Sequence, residues 1–319
     1  MEIVNKNILI TGGVGFIGSH LVKALTDQGI FPIVLYRSID LKSYFTLQNL
    51  NTKTQLIYQD INDYAGVYRI ITKYKINVVF HLAAQALVEL AYDNPLDTLL
   101  TNIIGTANIL EVCRQKGDMD AIIVASSDKA YGKKGNVKYK ESDALVGNHP
   151  YETSKASADL IAQMYIKTYN MPISITRFGN VYGEGDLNFS RIIPGIMQAL
   201  IKKQTLDVRS NGKFIRDYIY VDDVVNGYLS IIKNWNKICG QSINFGSKET
   251  LSVMEIVQLV EKTLKLKIKH RILNNSKNEI NYQSLNDNKA RKILKWRHNY
   301  NLKNMLPEIY SWYKNSLTQ

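Results

Sequence analysis

Cysteine is nearly missing from this chain: Cys113 and Cys239 are the only two in 319 residues, and they lie far apart. That excludes a disulfide framework and any paired-cysteine metal or redox spacing, and it fits a reducing cytoplasm. Long apolar runs are missing too, so no segment has the length needed to cross a bilayer. The opening stretch MEIVNKNILITGG carries Glu2 and Lys6 where a secretion signal needs apolar residues, and it reads as a first strand. Histidine is sparse. His20, His81, His149, His270 and His298 show no metal-ligand spacing and read as packing or surface residues. The net charge of +12 lacks the organisation of a nucleic-acid surface. Its lysines are scattered through segments such as EKTLKLKIKH and KARKILKWRH, without an arginine stripe, a zinc-finger spacing or an aromatic RNA-binding signature. We read a solvated lysine-rich surface that binds neither nucleic acid nor membrane, and no metal site.

What is present is an ordinary globular balance, 45% hydrophobic and 21% charged, in a chain long enough for a large core with a smaller lobe. NILITG, FPIVLY, TQLIYQ, NVVFHLA, AIIVASS and PISITRFG read as strands. They barely alternate, which predicts burial on both faces. Helical patterns such as DTLLTNIIGTANILEVCRQKG, with its glycine stop, lie between them. This alternation predicts an α/β protein with a Rossmann-type, doubly wound parallel sheet. After Asn180 the character changes: SRIIPGIMQALIKKQ, VDDVVNGYLSIIKNW and SVMEIVQLVEKTLKL are helical. We expect a first domain over 1–180, rejoined by a returning strand near 241–247, and a smaller mixed lobe over 181–319. No Pro/Gly/Ser-rich linker, repeat or low-complexity tract separates them.

The first strand runs into TGGVGFIGSH, where Gly13, Gly15 and Gly18 satisfy G-x-G-x-x-G and Gly12 adds a second glycine spacing. The first glycines permit a tight turn and close backbone approach to a pyrophosphate. Gly18 lets the following helix pack on the strand with its N-terminus toward the phosphates. Strand, turn and helix in this order predict a dinucleotide site. The second strand ends at Tyr36 and Arg37, with no carboxylate before Asp40. Arg37 and Ser38 match the pattern that reads the 2′-phosphate of NADP; NAD is the alternative, with Arg37 facing solvent and Asp40 reading the ribose. Asp60, at the end of the third strand, either meets the adenine edge or caps the next helix.

In HPYETSKASADLIAQMY, Tyr151 and Lys155 fall on one face of a predicted helix. A lysine beside a tyrosine favours the phenolate and makes it a usable base near neutral pH. Ser127, at the end of the strand AIIVASS, is placed to hydrogen-bond the same substrate hydroxyl.

These segments together resemble the extended short-chain dehydrogenase/reductases that act on nucleotide sugars. The resemblance rests on TGGVGFIGSH, FHLAAQ, TNIIGTANIL, SSDKAYG, PYETSK, RFGNVYG, RDYIYVDDV and KARKILKW, and it covers nearly the full chain. It implies a nicotinamide dinucleotide in the N-terminal lobe and a nucleoside-diphosphate sugar between the lobes. It also implies a homodimer through helices at about 96–116 and 150–169. By the same resemblance, Phe16, Ile17, Ile61, Leu82, Ala83 and Ala84 join Gly12, Gly15, Gly18, Tyr151 and Lys155 around the cofactor. Gln85, Ser127, Asn180, Arg191 and Arg216 fall to the substrate, although either arginine could equally form a structural salt bridge.

The stretch Ser127-Asp128-Lys129 selects among activities. The epimerases that this chain resembles carry small residues there, whereas 4,6-dehydratases carry an acid followed by a second ionisable residue. Ser-Asp-Lys, like GNVYGEGDLNFSRIIP, looks like the CDP-glucose 4,6-dehydratases. The resemblance implies that Tyr151 deprotonates the 4-hydroxyl as C4 is oxidised. A neutral Lys129 then removes the C5 proton, and a protonated Asp128 assists loss of the 6-hydroxyl. Burial disfavours both charges and makes that neutral pair accessible. The chain departs from the group in its shorter length, in RDYIYVDDV, and in SKNEINYQ, where many relatives carry an arginine ahead of DNKA. A 4-epimerase, a 4-reductase or a non-catalytic dinucleotide sensor are the other readings; retention of Tyr151 and Lys155 speaks against the sensor.

Overall fold

The computed structural model describes residues 1–3, 5–275 and 280–318. The first half alternates strand and helix: β1 (Ile8–Thr11), α1 (Phe16–Thr26), β2 (Ile33–Tyr36), α2 (Tyr44–Leu47), β3 (Gln55–Tyr58), α3 (Tyr64–Lys73) and β4 (Val78–His81). There follow α4 (Val88–Asp93), α5 (Pro95–Leu99), α6 (Gly105–Lys116), β5 (Ala121–Ala125), α7 (Pro150–Tyr169) and β6 (Ile173–Phe178). The second half holds β7 (Asn180–Tyr182), α8 (Ile192–Lys202), β8 (Leu206–Val208), β9 (Ile215–Tyr220), α9 (Val221–Lys233), α10 (Trp235–Ile238) and β10 (Ser242–Phe245). It closes with β11 (Thr250–Ser252), α11 (Val253–Leu264), β12 (His270–Ile272), β13 (Tyr282–Gln283) and α12 (Leu302–Thr318).

Seven strands form one parallel sheet in the order β10-β6-β5-β4-β1-β2-β3. The predicted parallel sheet is therefore present, and SINFGS supplies β10 beside β6. The pleat sends alternate residues of each strand to opposite faces. Ile8, Ile10, Phe80 and Ile123 pack with α1 and α9, while Leu9, Val79, Ile122 and Val124 pack with α3, α6 and α7. Each such side chain contributes roughly 1.5–3 kcal/mol by leaving water. The expectation of two buried faces fails at β3, where Gln55 and Tyr58 are exposed because it is the edge strand. In the middle of the sheet, strand order reverses between β1 and β4. Their carboxyl ends open a crevice there, the usual ligand position in such sheets.

The helix expected over 97–117 begins earlier, at Pro95, and widens into a π-helical turn over Leu100–Ile104 before α6. Gly117 ends it with φ 86°, a conformation that favours glycine. At that wide turn Asn102 accepts from the Gln85 N–H at 2.8 Å and donates to the Gln85 carbonyl at 3.0 Å and to Ser154 Oγ at 2.8 Å. It ties the loop after β4 to α7.

Beyond β6 a second sheet is centred on β9, with β11 antiparallel on it and β7 and β13 parallel to different stretches of it. A separate parallel pair joins β8 and β12. The sequence pattern does not announce these strands, which run for two to six residues and mix polar with aromatic side chains. Four residues of SKNEINYQ, Ser276 to Glu279, lie outside the described residues. No helix among the described residues is long and apolar enough to cross a membrane.

Candidate active site

The glycine turn is built as its spacing predicts. Gly12 has φ 71°, and a Cβ there would stand 2.7 Å from the Ala83 nitrogen. A Cβ on Gly18 would lie 2.1 Å from the Gly12 carbonyl oxygen, so α1 can lean on the turn only without one. Gly13 serves packing, since its Cβ would meet Val34 at 2.7 Å. Gly15 is the N-cap residue of α1 and donates to the Gly12 carbonyl at 3.1 Å. No side chain caps that helix, so its first N–H groups face the crevice, as an anion site requires. This cradle fits a dinucleotide pyrophosphate, with Phe16, Ile17, Leu82, Ala83 and Ala84 on its walls.

At the far rim, Arg37, Ser38 and Ile61 line the same cleft. Arg37 Nη1 approaches Asp60 Oδ2 at 3.4 Å, which ties the ends of β2 and β3 together. Asp60 does not cap the next helix: Asp63 does, accepting from the Gly66 N–H at 3.0 Å, while Asp60 Oδ1 accepts from Asn62 at 2.8 Å. Gln59, the residue before Asp60, lines the cleft.

The cleft continues, about 630 Å³ in all, past the end of β5 to the second sheet. Ser127, Asp128, Lys129, Tyr151 and Lys155 all line it. Ser127 Oγ donates to Asp128 Oδ1 at 3.1 Å and accepts from the Lys129 N–H at 3.1 Å, which closes the turn around the acid. Asp128 is 3% exposed and its Oδ2 has no partner among the described residues. Burial pushes its carboxyl above the usual range, against the pull of Lys129, Ser127 and Arg216. Lys129 Nζ donates to Gln283 Oε1 at 2.5 Å. An acid and an amine this close form a pair that can exchange protons with a bound ligand.

Tyr151 and Lys155 sit on one face of α7, as the spacing predicts, but the lysine does not serve the phenol directly. Lys155 Nζ donates to the Ala125 carbonyl at 3.0 Å, and burial pulls its pKa down to about 8. Burial also pushes Tyr151 up, and Asp128 adds to that; Arg191 and the Ser127 hydroxyl pull it down. Under Lys155 lies His81, held by Thr11 Oγ1 at 2.8 Å and Thr106 Oγ1 at 2.9 Å. Burial, and then the Lys155 charge, hold that imidazole neutral with a pKa of about 3. It is a packing histidine.

Among the expected substrate residues, Asn180, Arg191 and Arg216 line the cleft. Asn180 donates to the Asp217 carbonyl at 3.4 Å, Arg191 pairs with Asp186 at 3.1 Å, and Arg216 reaches the Ile215 carbonyl at 2.8 Å. Gln85 departs from expectation. Its amide donates to Thr98 Oγ1 at 2.9 Å and to the Leu87 carbonyl at 3.0 Å and accepts from the Leu87 N–H, which leaves it buried as a loop clamp. His149 and Glu152, which stand within HPYETSK but were given no role at the site, also line the cleft, with His149 Nε2 3.1 Å from Glu152 Oε1. Gln283 was not signalled, since nothing local ties a short strand 154 positions away to Lys129.

The GDP-mannose 4,6 dehydratase family profile matches residues 9–309. The CDP-glucose 4,6-dehydratase of Salmonella typhimurium is 30% identical, across 97% of this chain and 90% of the relative. Among solved structures, UDP-glucuronic acid 4-epimerase from Bacillus cereus, in complex with UDP-glucuronic acid and NAD, superposes with a TM-score of 0.87 at 26% identity. It covers 97% of this chain and 99% of that one. The dTDP-glucose 4,6-dehydratase from Bacillus anthracis, in complex with NAD, gives 0.85 at 25% identity, covering 97% of both chains.

Proposed function

Because the chain belongs to the GDP-mannose 4,6 dehydratase family, we propose that it is a nucleotide-sugar 4,6-dehydratase, turning a nucleoside-diphosphate hexose into its 4-keto-6-deoxy product. The observation that carries this reading is the buried Asp128 carboxyl beside Lys129, on the same cleft as Tyr151 and Lys155. An epimerase needs no such pair.

Gly12, Gly15 and Gly18 would hold the dinucleotide at the α1 N-terminus, with Lys155 below its reactive end. When bound, the dinucleotide supplies storage for the hydride that leaves C4 and returns at C6. Tyr151 removes the proton of the 4-hydroxyl, oriented by Ser127. The resulting ketone acidifies C5–H, and Lys129 takes that proton as a free amine. Asp128, whose carboxyl burial pushes upward, gives its proton to the 6-hydroxyl, which departs as water. Arg191 and Arg216, from the lobe over 181–319, bind the diphosphate.

The finer identity of the dinucleotide rests on Arg37 and Ser38, which suit the extra phosphate of NADP, although the two neighbours named above are described with NAD. The partner is a second copy of this chain. Leu96, Leu100 and Ile104 recur every four residues along α5 to α6, Leu160 and Met164 do so on α7, and all five are exposed. Cys113 and Cys239 are free thiols, which suits a cytoplasmic enzyme.

The 4-epimerase reading keeps one supporting observation, the superposition on the Bacillus cereus epimerase. Turnover of CDP-, dTDP-, UDP- and GDP-hexoses in heavy water, followed by mass spectrometry, separates the two. Loss of the mass of water, with one solvent deuterium gained at C5, identifies the dehydratase. An unchanged mass with inverted C4 identifies the epimerase.

A further inference from the structure

Lys129 must alternate between ammonium and free amine if it removes the C5 proton, and each state needs a different hydrogen-bond partner. Its Nζ contacts Gln283 Oε1 at 2.5 Å. Gln283 is fully buried, and its Nε2 has no partner among the described residues. It stands on β13, in register with Arg216 of β9, so the C-terminal lobe carries this amide to the end of β5.

We propose that Gln283 is the positioning residue for Lys129, an amide able to hold that side chain in both of its protonation states. This rests on the dehydratase reading above. The carbonyl oxygen accepts from the ammonium. After rotation of the amide, the vacant NH2 group donates to the lone pair of the free amine. A carboxylate here would favour the ammonium by its charge, and an apolar side chain would remove the acceptor that Gln283 gives to the half-buried ammonium. Gln283 brings no charge and so leaves Lys129 free to cycle. Among the described residues, the other titratable or charged groups around this turn are Asp128 beside it, Tyr139 behind it, Tyr151 and Arg191 across the cleft, and Arg216 on β9. They are shared by every Gln283 variant, so a change on substitution reports the amide.

The first test needs no turnover. The full chain, as wild type, Gln283→Glu and Gln283→Met, is labelled with trace acetic anhydride across pH, and Lys129 acetylation is read by peptide mass spectrometry. The midpoint for Lys129 should rise by about one unit or more in Gln283→Glu, a tenfold tighter hold on the proton, and fall in Gln283→Met. Circular dichroism checks folding, and the near-isosteric Met variant decides the matter if the carboxylate is not tolerated. The second test follows the same nucleotide-hexose panel in heavy water. Deuterium uptake at C5 should fall at least tenfold in both variants, while reduction of added dinucleotide at the C4 step stays within about threefold. Coincident labelling midpoints and unchanged C5 exchange in the variants would overturn the role of Gln283. A wild-type chain that releases no water from any of the sugars would overturn the dehydratase reading instead, and the labelling would still report whether Gln283 controls Lys129.

Discussion

At the scale of single residues, the turn at Asp128 and Lys129 works by position. Asp128 is buried and, among the described residues, hydrogen-bonded through one oxygen only, so burial pushes its carboxyl above the range of a surface aspartate. Replacing Lys129 by Met should leave oxidation at C4 intact, because Tyr151, Lys155 and Ser127 remain. It should stall elimination, trapping reduced dinucleotide with a 4-keto sugar, and slow product formation by a factor of about 10² to 10⁴. Stopped-flow absorbance of the reduced nicotinamide would follow the trapped state. Arg37 offers a second residue-scale outcome. Its guanidinium is half exposed and shared with Asp60, so it is available to a phosphate at modest cost. Arg37→Asp should reverse a preference for NADP over NAD in calorimetric titration; equal affinities that ignore the substitution would remove the argument.

Between elements, the catalytic turn is held from behind by an ion pair inside the protein. Arg177 on β6 meets Asp159 on α7 through two bonds of 2.8 Å, with exposures of 1% and 0%. The same guanidinium donates to the Tyr131 hydroxyl at 2.6 Å, and Tyr131 stacks on Tyr139 just past Lys129. One side chain thus fixes α7, which carries Tyr151 and Lys155, against the segment that carries Asp128. Arg177→Leu would strand the Asp159 charge in a dry interior. We expect a loss of roughly 3–5 kcal/mol in urea unfolding, the usual cost of breaking a buried pair from one side. Exchange of Arg177 and Asp159 for apolar residues together should recover part of it, since no lone charge remains.

For the whole molecule, the exposed apolar row on α5, the π-helical turn after it and α7 requires an explanation that the monomer does not supply. Leu96 is 65% exposed and Leu160 51%, although both sit on helices whose other faces pack well. Pairing two copies through these helices would bury both rows in a four-helix arrangement. Sedimentation velocity at micromolar concentration should show a dimer, and Leu100→Glu together with Leu160→Glu should shift it to monomer without unfolding. Only monomer in the wild type would count against that surface.

The sequence alone determined whatever depends on contiguous residues. TGGVGFIGSH encodes a turn because Gly12 takes φ 71° and a Cβ on Gly18 would strike the Gly12 carbonyl oxygen, and both constraints are local. The strands of the parallel sheet were legible for a similar reason: a strand of this sheet needs only a short β-rich run, and six such runs stand in the first 180 residues, TQLIYQ becoming the edge strand. Tyr151 and Lys155 could be named from spacing, Ser127 from its place at a strand end, and Asp128 and Lys129 from the resemblance, and all five line one cleft. Tertiary structure decided the partners. Gln85 reads as a substrate residue by its motif yet clamps its own loop, because the turn at Leu87 and Thr98 reaches its amide first. Asp60 faces Arg37 and leaves the helix cap to Asp63. Gln283, on a strand of two residues, has no periodic signal at all. Its contact with Lys129 exists only because β13 pairs with β9 and brings a distant amide to the end of β5. Backbone conformation is set by near neighbours along the chain, whereas the proton affinity of a buried side chain is set by whichever groups the packing places around it.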